Sequence, residues 1–130
     1  MYKNSVDLLD LSTTMLGLHA GGSISAAERR FPDGVVGDWQ VAAFHAESDA
    51  DVHADHWEMH PDSDEAVCCL SGGVRVYFRA EEVGGCEEMT RLSAGATVIV
   101  PRGRWHRMEL DAPSDLLSIA GYLGTQLEGR

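Results

Sequence analysis

Glycine pairs that separate short, β-branched segments constrain this chain more than any other feature of its sequence. The pairs Gly21-Gly22, Gly72-Gly73 and Gly84-Gly85 are typical of turns. The segments between them are rich in valine, isoleucine and aromatic residues, which favour strands, and they are too short for a helical core. We predict strands over residues 39–46, 65–70, 74–79, 96–100, 105–110 and 116–120, and one short helix over residues 25–30.

The predicted strand over residues 65–70 is apolar on both faces after its first residue, Glu65. Such a strand needs cover on both sides, which a β-sandwich or a β-barrel provides. The strand over residues 74–79 instead alternates between apolar and polar side chains, as a half-buried strand does. A chain of 130 residues is the size of one domain. We therefore predict a single all-β domain over residues 1–130.

The charge and the cysteines of the chain exclude several classes of protein. Ten lysines and arginines against 21 aspartates and glutamates give a net charge of −11, which repels phosphate backbones and anionic lipids. No apolar run approaches the ~20 residues of a membrane helix, and the start lacks the pattern of a signal peptide. The odd number of cysteines, with Cys68 next to Cys69, fits reduced thiols. We expect a cytoplasmic protein with no nucleic-acid or membrane partner.

Histidines cluster in one part of the chain. His45, His53, His56 and His60 lie within a short stretch that also contains Glu58. In an extended segment, residues 56, 58 and 60 share one face. A little further on, Glu65 begins the predicted buried strand, where a carboxylate is costly unless it has a cation or a donor as partner. A metal ion is the simplest partner, and the pattern indicates a metal site.

Two motifs of this region resemble those of the cupin superfamily. His60, Glu65 and Gly72, separated by four and six residues, are similar to the second half of the first cupin motif. The second cupin motif is matched by a glycine, a proline, a glycine and a histidine in the same order and spacing, namely Gly95, Pro101, Gly103 and His106. The resemblance covers roughly residues 52–110.

The resemblance implies a fold and a metal site. The fold is a jelly-roll β-barrel, also called a double-stranded β-helix, and its mouth holds a divalent metal on three histidines and a glutamate. Carried over residue by residue, His60, Glu65 and His106 match these ligands. The implied cofactor is a transition metal such as iron, manganese, zinc or nickel. The family also implies a homodimer.

The sequence departs from the cupin motifs at three positions. The opening glycine of the first motif falls on Val52, its first histidine on Glu58, and the closing asparagine of the second motif on Leu110. Only Glu58 touches the metal site, and a carboxylate binds such metals at nearly the same distance as an imidazole. Glu58 is thus a fourth ligand or a catalytic base, and His56 is the alternative that could replace it as ligand or support the site.

The function implied is a metal-dependent enzyme, with dioxygenase-type oxidation of a small organic substrate as the first hypothesis. The alternative is a metal-free barrel that acts as a small-molecule binding or sensor module, or as an isomerase. We expect the substrate to be bound by residues near the metal on the strand faces and turns, namely His56, Cys69, Arg104 and Met108. Two of these have a second interpretation, because Cys69 could be a buried core residue and Arg104 could lie in a solvated turn.

Overall fold

The computed structural model describes residues 8–29 and 37–130 of the chain. Within these ranges the chain forms strands and one short 3-10 helix, Asp49–Val52. No helix in the described ranges is long and apolar enough to cross a membrane. The strands are β1 (Thr14–Leu18), β2 (Ile24–Glu28), β3 (Trp39–Ala46), β4 (His56–Met59), β5 (Glu65–Phe78), β6 (Glu88–Ser93), β7 (Thr97–Val100), β8 (His106–Ala120) and β9 (Gln126–Gly129).

Two long antiparallel strands, β5 and β8, organise the fold because each belongs to two sheets. The first part of β5 pairs with β7 and with the end of β8, and its second part pairs with β6 and with the start of β8. The end of β8 also pairs with β3, and its start pairs with β4. One sheet therefore runs β2-β1-β3-β8-β5-β7 and faces a second that runs β9-β4-β8-β5-β6. The prediction of an all-β jelly-roll barrel is confirmed.

The bend that carries β5 from one sheet to the other lies at Gly72. The register between β5 and β8 shifts between Cys69 and Val74, as β-bulges do where a strand bends. Gly72 has a φ of +85°, and a Cβ there would lie 2.3 Å from the Ser114 Oγ and 2.4 Å from the Pro113 carbonyl oxygen. Only glycine fits this bend. The predicted strands over 65–70 and 74–79 are thus one bent strand, because β8 continues alongside both halves.

Other predictions about strands have mixed outcomes. Strand β3 has the predicted bounds, whereas the predicted strands over 105–110 and 116–120 are parts of the single strand β8. The predicted helix over 25–30 is wrong, because residues 24–28 form β2. Pairing of β2 with β1 along five residues outweighs the weak helix preference of a short alanine-containing segment. Strands β6 and β9 were not predicted, because their sequences carry many charged or polar residues.

The hydrophobic core fills the space between the two sheets. Its side chains alternate along the strands with residues that face outward, as the two-residue period of a strand requires. Burial of this apolar surface is the main force that holds the sheets together. The core residues are Ala46, Val52, Val67, Cys69, Val74, Val76, Phe78, Leu92, Val100 and Leu116.

An apolar row crosses the outer face of the first sheet. Its members are direct neighbours on five successive strands. Each lies at an odd number of residues from the nearest buried residue of its own strand, and therefore on the opposite face of the sheet. Ile99, at the β7 edge, is 58% exposed. The apolar row consists of Leu16, Val41, Ile119, Ala66 and Ile99.

Candidate metal centre

Four potential metal ligands converge from three strands. Glu58 on β4 lies directly opposite His106, the first residue of β8. Glu65 begins β5, and His60 lies just beyond the end of β4. Along the β5–β8 ladder, Glu65 pairs with Ala120 and His106 with Phe78, so the two ligands stand at opposite ends of that ladder. They meet only because the two long strands fold over each other.

The donor atoms of the four side chains surround one point. Glu65 Oε1 lies 2.8 Å from His106 Nε2 and 3.2 Å from His60 Nε2. Glu58 Oε1 lies 2.9 Å from His60 Nε2 and 3.9 Å from His106 Nε2. All four donor atoms lie within 4.8 Å of one another. This arrangement supplies two nitrogen and two oxygen ligands from the described residues.

Hydrogen bonds at the far side of each imidazole orient both histidines toward that point. His106 Nδ1 lies 3.0 Å from the Arg104 carbonyl oxygen, to which it must donate. The Thr125 hydroxyl donates its only proton to the Tyr122 carbonyl oxygen, at 2.7 Å, and therefore accepts from His60 Nδ1, at 2.8 Å. With Nδ1 protonated, a neutral imidazole presents the lone pair of Nε2. Both Nε2 atoms are thus prepared to bind a metal.

A chain of hydroxyl groups holds the second oxygen of Glu65. The Ser118 hydroxyl lies 2.6 Å from Glu65 Oε2 and donates to it. Because that proton is used, Ser118 accepts from the Tyr122 hydroxyl, 2.8 Å away. Burial, and next the nearby charge of Glu65, raise the pKa of Tyr122, so the phenol keeps the proton that it donates. Glu65 Oε1 remains free to face the site.

Burial and charge at the site fit a divalent cation. His60 Nε2 and Glu65 Oε1 are buried, and neither makes a well-aligned hydrogen bond with a described residue. Unpaired buried polar atoms are costly, and a cation between them would satisfy both. Two carboxylates and two neutral imidazoles also balance the charge of a divalent ion. The four residues therefore form a candidate site for a divalent metal.

In the metal-free state a proton takes part of the role of the cation. Burial alone would lower the pKa of His60, but the Glu58 and Glu65 carboxylates outweigh burial and raise it to about 10. Burial likewise opposes the shift of Glu65, yet the two imidazoles hold the pKa of that carboxyl well below its usual range. The pKa of His106 is raised against burial, chiefly by Glu65. The site thus favours positive charge at its centre.

A cavity of about 140 Å³ opens next to the metal ligands. Glu58 and Glu65 line one part of it, and Arg29 and Tyr122 also contribute to its wall. The rest of the lining is mostly apolar, so a bound molecule would be shielded from water. The apolar residues of the wall are Met15, Ala42, Phe44, Val52, Val67, Met108, Leu116 and Leu117.

The family model described as "Cupin domain" matches residues 44–120. The chain belongs to the cupin family. The matched range includes both long strands and all four metal ligands, and extends the region of resemblance in both directions. Among curated proteins, none matches this cupin.

Solved structures of other cupins share the fold. Two variants of oxalate decarboxylase from Bacillus subtilis are each 21% identical to this cupin, with a TM-score of 0.52. Each likeness covers 70% of this chain but only 23% of the oxalate decarboxylase chain, so this cupin spans about a quarter of that protein. A cupin-2 domain protein from Shewanella frigidimarina is 19% identical, with a TM-score of 0.49, and the match covers 80% of this chain and 85% of that one.

Two of the predicted substrate-binding residues lie beside the metal ligands of this cupin. Met108 lines the main cavity. His56 lines a smaller cavity of about 30 Å³ together with Glu58 and His106. The His56 imidazole is partly exposed, and its Nδ1 lies 2.8 Å from the Asp55 carboxylate. His56 is therefore a neighbour of the cluster, whereas Glu58 is one of the four side chains whose donor atoms converge.

The other two predicted substrate-binding residues lie elsewhere. Cys69 is buried in the core, and its thiol donates to the Ser71 carbonyl oxygen. Cys69 lies on the same face of β5 as Glu65, but it is four residues further along the strand. Arg104 precedes the start of β8 and lines a separate surface cleft. It forms ion pairs with Glu81 and Glu88 and lies over the Phe78 ring, which directs it away from the metal.

Four residues at the site were not predicted from the sequence. They share no ligand-type motif: three lie at or just after the end of β8, and the fourth follows β2. Only the position of Tyr122, just after a predicted strand, offered a local signal. The four residues are Arg29, Ser118, Tyr122 and Thr125.

Proposed function

We propose that this cupin is a metal-dependent enzyme that oxidises a small organic substrate with dioxygen, a dioxygenase-type reaction. The observation that carries the proposal is the joining of a two-histidine, two-carboxylate site to a partly open and largely apolar cavity. A metal site with a purely structural role would have no need of an adjoining cavity.

The ligand set favours a metal that reacts with dioxygen. His60, His106 and Glu65 are nearly fully buried, whereas the Glu58 side chain is 25% exposed. Two histidines and one carboxylate with open positions suit Fe(II) in oxygenases, and an added oxygen ligand suits Mn(II). Mn(II) centres are named for the oxalate decarboxylase of Bacillus subtilis, which supports manganese as the second metal to test. A bound ion of this kind supplies Lewis-acid and redox chemistry.

The residues of the chain perform the other tasks of such a reaction. The Ser118 hydroxyl and the two Nδ1 hydrogen bonds hold Glu65, His60 and His106 in place. Glu58 lines the cavity and is the most accessible of the four candidate ligands. It is the group best placed to accept a proton from a bound substrate. The apolar wall excludes water and so strengthens the electrostatic interactions inside.

Metal content tests the proposal first. Protein purified without a chelator or a histidine tag is compared with a Glu65→Ala, His106→Ala variant and with a control that carries Glu82→Ala and His45→Ala on the surface. We expect about one first-row metal ion per chain in the wild type and the control, and almost none in the site variant. Less than about a tenth of an equivalent, even after incubation with Fe(II), Mn(II), Zn(II) or Ni(II), would refute a metalloenzyme.

Oxygen consumption tests the reaction class. The Fe(II)-loaded and Mn(II)-loaded proteins are mixed with small carbonyl and enol compounds in an oxygen electrode, with product analysis by mass spectrometry. We expect uptake of oxygen that depends on both metal and substrate, and incorporation of labelled oxygen into product. Turnover without oxygen would refute the dioxygenase type. Binding without turnover, or turnover by metal-free protein, would favour the binding module or the isomerase.

A further inference from the structure

Arg29 lines the cavity beside the metal ligands and forms no ion pair with any described residue. Its guanidinium lies 4.8 Å above the Phe44 ring, and Nη1 donates to the Ala43 carbonyl oxygen at 3.2 Å. Six of the seven other arginines in the described ranges are paired with carboxylates, and the seventh, Arg102, lies on an exposed turn. The paired arginines are Arg75, Arg79, Arg91, Arg104, Arg107 and Arg130.

A guanidinium with no carboxylate partner among the described residues is unexpected in a cavity wall of a chain with a net charge of −11. Carboxylates are abundant, and Asp51 lines the same cavity, yet no described carboxylate lies within ion-pair distance of Arg29. The aromatic ring and one carbonyl oxygen hold the guanidinium while its other N–H groups find no partner among the described residues. A guanidinium has five N–H donors in a planar fork that matches a carboxylate in bidentate fashion. Arg29 thus presents the recognition geometry for an anion.

The remaining wall of the cavity restricts what that anion can be. A bound divalent ion balances the charges of Glu58 and Glu65, and Asp51 adds a negative charge to the wall, so the Arg29 guanidinium is the side chain of the lining best suited to bind an anion. The apolar wall suits a hydrocarbon or aromatic portion. The volume of about 140 Å³ is close to that of an engineered cavity of ~150 Å³ that holds benzene. A ligand of this size has about six to nine heavy atoms.

We propose that Arg29 binds the carboxylate of a small, otherwise apolar monocarboxylic acid, and that this pairing sets the substrate class. Binding of the acid at Arg29 is independent of the proposed function, and only the statement that the acid is a substrate rests on it. Arg29 acts as a specificity-determining residue, and the acid lies with its carboxylate at Arg29 and its apolar part toward the metal site. The neutral amide of the same acid has the same shape but lacks the charge that Arg29 requires.

Binding of matched acid and amide pairs tests this assignment. Affinities of benzoate and butyrate, and of benzamide and butyramide, are measured by ligand-observed NMR for the purified protein with its metal and after removal of the metal by chelator. The variants are Arg29→Gln and Arg29→Lys, with Arg102→Gln as control because Arg102 lies on an exposed turn. Thermal unfolding and metal content are measured on every sample.

We expect the acids to bind at least about tenfold more tightly than the amides. Arg29→Gln should abolish that preference without loss of metal, Arg29→Lys should restore part of it, and Arg102→Gln should leave it unchanged. Equal binding of acids and amides by the wild type, or a preference that persists in a folded Arg29→Gln variant, would overturn the assignment. The preference for acids could also be lost on removal of the metal and yet persist in Arg29→Gln. That result would place the carboxylate on the metal and would likewise overturn the assignment. If the protein holds no metal but binds acids in a way that depends on Arg29, the proposed metal-dependent enzyme is refuted and the assignment of Arg29 stands.

Discussion

The hydrogen bond from His60 Nδ1 to Thr125 should control metal affinity. Thr125→Val keeps the shape of the side chain but removes the hydroxyl that accepts this bond at 2.8 Å and donates to the Tyr122 carbonyl oxygen. His60 is 2% exposed, so its Nδ1–H would lose its partner in a site that water does not reach. Loss of such a partner costs about 1–3 kcal/mol of unfolding free energy. Supporting hydrogen bonds of metal-binding histidines typically contribute about 10–100-fold in affinity.

The expected loss of metal affinity is therefore about 1.4–2.7 kcal/mol. It is measured by competition with a chromogenic chelator for Zn(II) or Mn(II), and the unfolding free energy is measured in urea. Thr97→Val is the matched control, because the Thr97 hydroxyl also donates to a strand carbonyl, that of Val67 at 3.0 Å, but does not contact a metal ligand. An affinity change smaller than about threefold for Thr125→Val, or equal changes in both variants, would refute the role assigned to Thr125.

Three further predictions concern stability and assembly. The metal-free protein should be most stable between about pH 5 and 6.5. The pKa of His60 is raised to about 10, so the stability that its protonation contributes is lost as the pH rises from about 6.5 to about 10. The pKa of Glu65 is lowered, so the stability that its ionised form contributes is lost in acid. Urea unfolding over a pH series checks this, and a flat profile would contradict it. Gly72→Ala should cost about 2–4 kcal/mol of unfolding free energy, because the new Cβ would meet Ser114 and Pro113. Gly22→Ala is the control, because Gly22 has a φ of +94° but no atom within 4 Å of an added Cβ, and it should cost only about 1 kcal/mol. Equal losses would contradict the steric argument. We propose that the apolar row forms the interface of a homodimer. Light scattering should show a dimer for the wild type and a monomer for Ile99→Lys. A monomeric wild type would refute this interface.

Much of the fold could be predicted from local patterns. Strand β3 was located at its observed bounds because its sequence contains the aromatic and β-branched residues that favour strands. The ends of β5 and β8 were also located, but not their continuity. Whether a glycine pair ends a strand or bends it depends on whether a neighbouring strand continues alongside. The Gly72-Gly73 pair is a bend because β8 pairs on both sides of it.

The order and spacing of residues indicated which side chains could serve as ligands. Spacing along the motifs indicated His60, Glu65 and His106, and the two-residue period of a strand placed Glu58 on the same face as His60. Parity alone, however, cannot tell how far along a strand a residue lies from the site. For that reason Cys69 was expected near the substrate but lies in the core.

The meeting of these ligands, and the residues that surround them, depend on how the sheets fold. Glu65 and His106 stand at opposite ends of the β5–β8 ladder, and closure of the barrel, driven by burial of the core, brings their donor atoms to 2.8 Å. The same closure brings Arg29, which follows β2, to the site that Tyr122 and Thr125 reach from the end of β8. Local periodicity determines the face on which a side chain lies, whereas contacts between distant segments depend on how the whole sheet folds.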